Sequence, residues 1–356
     1  MKRWRVLLFA LVGLALVAAA CEGEEAATTV VAVEGSLLDE VIARDSVKCG
    51  TRDALPGFAV LTPEGDHVGF DADFCRVIAA AVLGDANKVE FIDLETPDRF
   101  TALQSGQVDV LVRNTTWTSA RDGLEGSTFL TVNYYDGQRM MVAADSPFQS
   151  VTEMDGVIVC VAAGTTTEGN AAAAAQFFGL AWEIRPFPDT DALQAAFEAG
   201  QCDGWSSDFS QLVGLRSAYP AGPDALRILE ETFSKEPLAP VVLDGDSAWA
   251  QAVDWAVIAT IQAEEFGITQ ANVDDVRANT TNPNIQKFFG EAVDADGNVT
   301  TFDPMLGIPT DFAYQVIKQV GNYGEIFARH LIPLGLERGV NAQWLDGGLM
   351  YAPPYR

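Results

Sequence analysis

An α/β protein of two lobes, each a small sheet flanked by helices, is what this sequence predicts. Strand-like and helix-like patterns alternate between residues 47 and 112, the order of a parallel α/β sheet. The same alternation restarts between residues 157 and 229. Two segments separate these units, Tyr134 to Val142 and, returning, Ser234 to Leu238, and both read as crossings. The first lobe is then discontinuous, 46–138 plus 238–356, and the second is 139–237, with a hinge at the crossings. Ordinary loops in one larger domain are the alternative reading.

In chain order, Ser36 caps a short lead-in helix reaching Arg44, and Val47 to Thr51 reads as a first strand. Phe74, Val77, Ile78, Ala81 and Val82 recur at three and four, which predicts a helix from Asp71 to Leu83. Val89 to Ile92 is a strand, Asp98 to Ser105 a helix, and Val108 to Val112 a buried strand. In the second unit Val157 to Val161 is a strand, followed by Gly164-Thr165-Thr166-Thr167-Glu168 and a helix through Phe178. A helix over 191–199, a strand over 202–206, a helix from Phe209 to Ser217 and a strand from Leu226 to Leu229 complete it. Paired sheets of this kind place ligands in the crevice between them, at the carboxyl ends of strands.

The start of the chain predicts export. Lys2, Arg3 and Arg5 precede an apolar run from Val6 to Val17, closed by Ala18-Ala19-Ala20-Cys21, the pattern of a signal peptide over 1–20. Cys21 fits a lipoprotein box with an acylated thiol, although Ala18 stands where leucine is usual, and ordinary cleavage after Ala20 is the alternative. Of five cysteines, the other four lie in the folded region and form an even set, which leaves Cys21 over. Acyl chains contribute roughly 0.8 kcal/mol per buried CH₂, enough for an anchor when two or more are attached. Residues 21–45 then comprise the lipidated cysteine, a small acidic tether and the lead-in helix. The expected place is the outer face of the cytoplasmic membrane, or the periplasm.

Twenty-two lysines and arginines against 50 aspartates and glutamates give a net charge of −28, which argues against nucleic-acid partners and anionic membrane surfaces. It also makes any group of arginines conspicuous. Only His67 and His330 occur, so a histidine triad or a histidine-ligated metal is not expected, and neither is a cofactor. Asp294-Ala295-Asp296-Gly297 hints at a calcium loop, but with its glycine at 297 the first ligand would fall on Ala292 and the last on Asp303. A plain turn is the reading adopted.

Several blocks, in order and spacing, resemble a known family. They include Leu55-Pro56-Gly57-Phe58, Arg99 to Gly106, Arg113-Asn114-Thr115-Thr116-Trp117-Thr118 with Arg121-Asp122, Gly164 to Glu168, and Ser234-Lys235-Glu236-Pro237-Leu238. The endings Asn341 to Trp344 and Gly347 to Tyr351 belong with them. The chain resembles the polar amino-acid-binding proteins of ABC importers, bacterial extracellular solute-binding proteins of family 3, and within them the general L-amino-acid-binding branch. The resemblance implies a periplasmic-binding-protein type II fold, with a small mixed sheet in each lobe. It also implies a non-enzymatic monomer that takes a free L-amino acid and passes it to membrane permease subunits.

A free amino acid carries a carboxylate and an ammonium, and removing both from water requires fixed counter-charges. The planar fork of Arg121 suits the carboxylate. The resemblance puts the family's carboxylate-binding arginine there, against the alternative of a surface pair with Asp122. Thr166, with Thr165 beside it, stands where a strand gives way to a helix and unpaired N–H groups favour an anion; capping that helix is the alternative. By resemblance Thr166 donates to the carboxylate from the second lobe. By resemblance Asp208 holds the ammonium, a role at the start of its helix being the alternative; Asn114 and Thr116 complete the ammonium and carboxylate contacts, and Arg113 and Thr118 are neighbours.

Phe100 matches the aromatic that packs on the ligand's side chain, or else belongs to the core. Leu55 and Arg52 stand where relatives specialised for basic amino acids carry an aromatic and an aspartate, which points to broad or to acidic and neutral polar ligands such as Glu, Gln, Asp and Asn. Arg52 pairs an acidic ligand side chain or lies at the rim against Asp53. One cysteine pair falls in each lobe, Cys49 with Cys75 and Cys160 with Cys202; buried free thiols are the alternative. Rival functions are an enzyme of the cyclohexadienyl dehydratase kind, for which Glu168 and Asp208 are the nearby acids or bases, and a ligand-sensing module.

Overall fold

The run Val47–Thr51 lies inside a five-stranded sheet in the computed structural model, which describes residues 35–355. The signal stretch, Cys21 and the tether up to residue 34 lie outside the described residues. Val47–Thr51 pairs in parallel with Val89–Asp93 on one side and Val110–Leu111 on the other. Beyond these come Val241–Leu243, running against its neighbours, and Ser127–Phe129. The second sheet repeats this plan. Ile158–Ala162 pairs in parallel with Glu183–Phe187 and Gly204–Asp208, then come the reversed strand Gln138–Ala143 and the edge strand Leu226–Ile228.

The reversed strand of each sheet is the one that arrives from the other side of the molecule. Tyr134–Asp136 and Glu236–Leu238 pair antiparallel as a separate two-stranded ribbon. The first leads into Gln138–Ala143 and the second into Val241–Leu243. Each sheet is therefore parallel except for the strand that enters it through the ribbon. The alternations of residues 47–112 and 157–229 predict the parallel strands and the edge strand Leu226–Ile228, whereas Ser127–Phe129 and the two reversed strands come from segments without that pattern.

Helix Phe70–Leu83 is buried nearly all round, which explains why its amphipathic stripe is broad. It packs against Ser247–Glu265, Phe312–Gln319 and Tyr323–His330, with Phe70 and Phe74 in edge-to-face or tilted contact with Tyr323 and Phe327 of the last. Gly69 caps its start at φ 138°, and a side chain there would collide with the Phe58 carbonyl. Across the molecule, Gly214 of helix Phe209–Ser217 lets the Pro56 carbonyl approach so closely that a Cβ would lie 2.5 Å from its oxygen. The Asp294–Gly297 segment is the turn of a hairpin, with Asp294 Oδ1 accepting from the N–H groups of Asp296 and Asn298.

Cys49–Cys75 and Cys160–Cys202 are disulfides; the first ties a strand to helix Phe70–Leu83, and the second ties a strand to the loop before Gly204–Asp208. The second closes a loop of 42 residues. Replacing Cys160 and Cys202 together by alanine is expected to lower stability by about 3–4 kcal/mol, the chain-entropy value for that loop. Urea unfolding measures it, and a loss below about 1 kcal/mol would show that the reduced chain is already constrained.

Candidate functional site

A slot opens where the carboxyl ends of both sheets meet. Arg99, Asn114, Thr116 and Arg121 line it from the first sheet's side, and Thr165, Thr166, Asp208 and Gln211 from the second's. Its volume is about 20 Å³, room for roughly one water. Anything as large as an amino acid enters only if the two walls part.

Arg121 sits on the short helix Ser119–Leu124, whose cap Thr118 accepts the Arg121 N–H at 3.2 Å. Its guanidinium is buried and Nη1 donates to the Thr116 carbonyl at 2.8 Å. Asp122 makes no ion pair with it among the described residues. Burial lowers the Arg121 pKa, while Asp208, Glu236 and Glu125 pull it back up. Asp208 ends the strand Gly204–Asp208 and precedes helix Phe209–Ser217. Burial pushes its carboxyl well above the ordinary range, and Asp136 and Glu236 add to that, while Arg121 and Arg99 oppose it. A positive and a negative group thus reach the slot from opposite sheets, both largely stripped of water.

Asn114 takes φ 32°, which is unusual for a residue with a Cβ, and its N–H donates to Asp71 Oδ2 at 3.0 Å. Its Nδ2 donates to Gln211 Oε1 at 3.1 Å, across the two walls, and its Oδ1 is buried without a partner. Helix Thr166–Phe178 points its first turn at the slot, and its cap Thr165 makes no side-chain bond to that turn, so these N–H groups remain available to an anion. The Thr165 hydroxyl is committed to Ala162 O at 2.6 Å and that of Thr166 to Glu236 Oε2 at 3.0 Å. What Thr166 can offer an anion is therefore its backbone N–H.

Three of the expected residues stand apart from the slot's lining. Phe100 lies beneath it, with the guanidinium carbons of Arg99 and Arg121 at 5.4 and 5.5 Å from its ring centroid. Leu55 is buried beside Gly214. Arg52 donates to Thr190 Oγ1 at 2.9 Å, joining the two sides, while Asp53 is paired with His67. Arg113 lines the slot but donates to Leu94 O and Thr96 Oγ1, and burial lowers its pKa to about 9.

Arg99 was not singled out by the sequence reading. It is 3% exposed, lines the slot, and its Nε and Nη2 have no partner among the described residues. Burial depresses its pKa well below the ordinary value, and the like charges of Arg121 and Arg113 lower it further. The available signal was three arginines between 99 and 121 in a chain of net charge −28. Gln211 gave no such signal, because a glutamine in a helix reads as surface.

Residues 47–331 match the profile of the bacterial extracellular solute-binding proteins, family 3. The chain is 44% identical to a general L-amino acid-binding periplasmic protein of Rhizobium johnstonii, over 98% of this chain and 99% of that one. It is 44% identical to a glutamate/glutamine/aspartate/asparagine-binding protein of Rhodobacter capsulatus, over 91% of this chain and 95% of that one. Among solved structures, a periplasmic binding protein of an ABC transporter from Brucella ovis, with glutathione bound, superposes with a TM-score of 0.85 at 43% identity, covering 90% of this chain and 99% of that one.

Burial raises the carboxyls of Asp71 and Asp136 from 3.8 to about 7 and about 6. Both groups hold a proton more tightly folded than unfolded, so through these two groups stability of the unliganded protein falls as pH rises from about 4 to about 7. The urea midpoint is expected to be higher at pH 5 than at pH 7.5, and Asp71→Asn should flatten the upper part of that slope. A midpoint rising with pH across this window would contradict the assignment.

Proposed function

The chain belongs to the bacterial extracellular solute-binding proteins of family 3, and on that premise we propose that it captures free L-amino acids between two closing lobes for delivery to an ABC permease. It is a binding protein, not an enzyme. One observation carries the reading: Arg121 and Asp208 reach one buried slot from opposite sheets, and these are the counter-charges a zwitterion needs.

The lobes are 46–138 with 238–356, and 139–237, and the ribbon between them is the hinge. In the open form the ligand's carboxylate settles on Arg121, with Asn114 and Thr116 completing the ammonium and carboxylate contacts. Closure adds Asp208 to the ammonium and the Thr165–Thr166 helix end to the carboxylate. Those second contacts exist only in the closed form, so they shift the population toward it. Arg99 gives the slot one cation more than a neutral zwitterion uses, which supports acidic and amide side chains within a broad range. Arg52 and Leu55 act as inter-lobe contacts in this scheme, and Phe100 as the floor under the arginines. A γ-glutamyl peptide is a second reading, favoured by the glutathione of the Brucella ovis protein and by the same free α-carboxylate and ammonium. Export by the signal at 1–20, anchoring through acylated Cys21, and action as a monomer complete the proposal.

Titration calorimetry with L-glutamate, L-glutamine, L-alanine and glutathione tests it. Removing one partner of a buried charge pair costs about 3–5 kcal/mol, so Arg121→Ala should weaken amino-acid binding by about two decades or more. Near-normal affinity in that variant would remove Arg121 from the site, and no binding of any of the four by the unaltered protein would overturn the function.

A further inference from the structure

The hinge ribbon carries two acids where a ribbon would ordinarily avoid them. Glu236 stands directly opposite Asp136 in the register of the paired strands, and like charges so placed disfavour pairing. Neither side chain points to open water: Glu236 is 1% exposed and Asp136 is half-buried. Both are satisfied by donors from the second sheet's side or its approach. Glu236 accepts from Thr166 Oγ1 at 3.0 Å, Asn170 Nδ2 at 2.5 Å and Ser234 Oγ at 2.6 Å. Asp136 accepts from the hydroxyl of Ser210, from the Ser210 N–H at 3.2 Å and from the Gly137 N–H at 2.8 Å.

The donors are not scattered. Thr166 and Asn170 are one turn apart at the start of helix Thr166–Phe178, whose end faces the slot. Ser210 is the second residue of helix Phe209–Ser217, the helix that Asp208 precedes. Each ribbon acid therefore grips the first turn of one of the two helices that build the slot's second wall, and the positive helix ends offset the paired negative charges.

We propose that Glu236 and Asp136 are positioning residues for capture: acting through Thr166 and Ser210, they fix both helix ends of the second wall to the hinge. This rests on the function proposed above and deepens it. Hinge rotation then carries Thr166 and Asp208 to the slot as one body. Without the grip, either helix end must be ordered at the moment of binding, and affinity is lost.

The test is a double-mutant cycle on the full chain, read by calorimetry with L-glutamate and L-alanine, with thermal melts to verify folding. Glu236→Gln and Thr166→Val are each expected to weaken binding about tenfold or more, the scale of a hydrogen bond to a charged group. If Glu236 acts through Thr166, the double variant binds about as well as Glu236→Gln alone, because the link that Thr166→Val cuts is one of those the Glu236 carboxylate makes. Effects that multiply to about a hundredfold or more, or a Glu236→Gln variant with unaltered affinity, would overturn the proposal. Asn170→Ala removes a donor to the same carboxylate from a residue outside the slot's lining, and needs no change at Glu236. It should weaken both ligands together, and unchanged affinity there would overturn the proposal too. Ser210→Ala with Asp136→Asn should show the same non-additivity. Failure of the unaltered protein to bind either ligand is a different outcome, and it overturns the function and this inference with it.

Discussion

The costliest thing this molecule does is to bury opposite charges that come from different sheets. Arg121 and Asp208 both lose most of their water, and neither is held by a direct ion pair to the other. Three guanidiniums, of Arg99, Arg113 and Arg121, stand around the slot against the single carboxylate of Asp208. An arrangement of that kind is stable in a chain of net charge −28 because Glu236, Glu125, Glu95 and Asp93 supply compensating charge from just outside the lining. It is also unsatisfied enough to prefer a ligand: Arg99 keeps two buried donors without partners, and Asn114 keeps a buried acceptor.

The topology explains how such groups are brought together. Each sheet is parallel apart from one strand, and that strand is the continuation of a ribbon strand. Parallel strands end on the same edge, so the loops after Val110–Leu111 and Ile158–Ala162 and the end of Gly204–Asp208 all face the gap between the sheets. Contacts such as Arg52 with Thr190, and Pro56 against Gly214, span the gap between the two sheets' sides.

Much of this was legible in the sequence. The stripe of Phe74, Val77, Ile78, Ala81 and Val82 marked its helix, and the β-branched runs marked the parallel strands, because local periodicity and burial agree there. Arg121, Asp208, Asn114, Thr116, Thr165 and Thr166 were singled out, and they line one slot. The reversed strand Val241–Leu243 and the edge strand Ser127–Phe129 are three residues each, too short to show a period. Arg99 hid at the start of a six-residue helix, where an arginine reads as surface. Phe100 reads from the sequence either as a ligand-packing aromatic or as core, and its ring packs against the guanidiniums of Arg99 and Arg121, a distinction that spacing does not encode. The roles of Glu236 and Asp136 depend on strands that meet only through the antiparallel ribbon, about a hundred residues apart in sequence, and nothing local announces them.

All of this supposes a gap that shuts on a small zwitterion, since a slot of about 20 Å³ admits nothing of that size while closed. Small-angle X-ray scattering of the full chain, with and without saturating L-glutamate, measures that movement directly. The account predicts a smaller radius of gyration with the ligand than without it. An unchanged radius, in a sample shown by calorimetry to have bound L-glutamate, would contradict it.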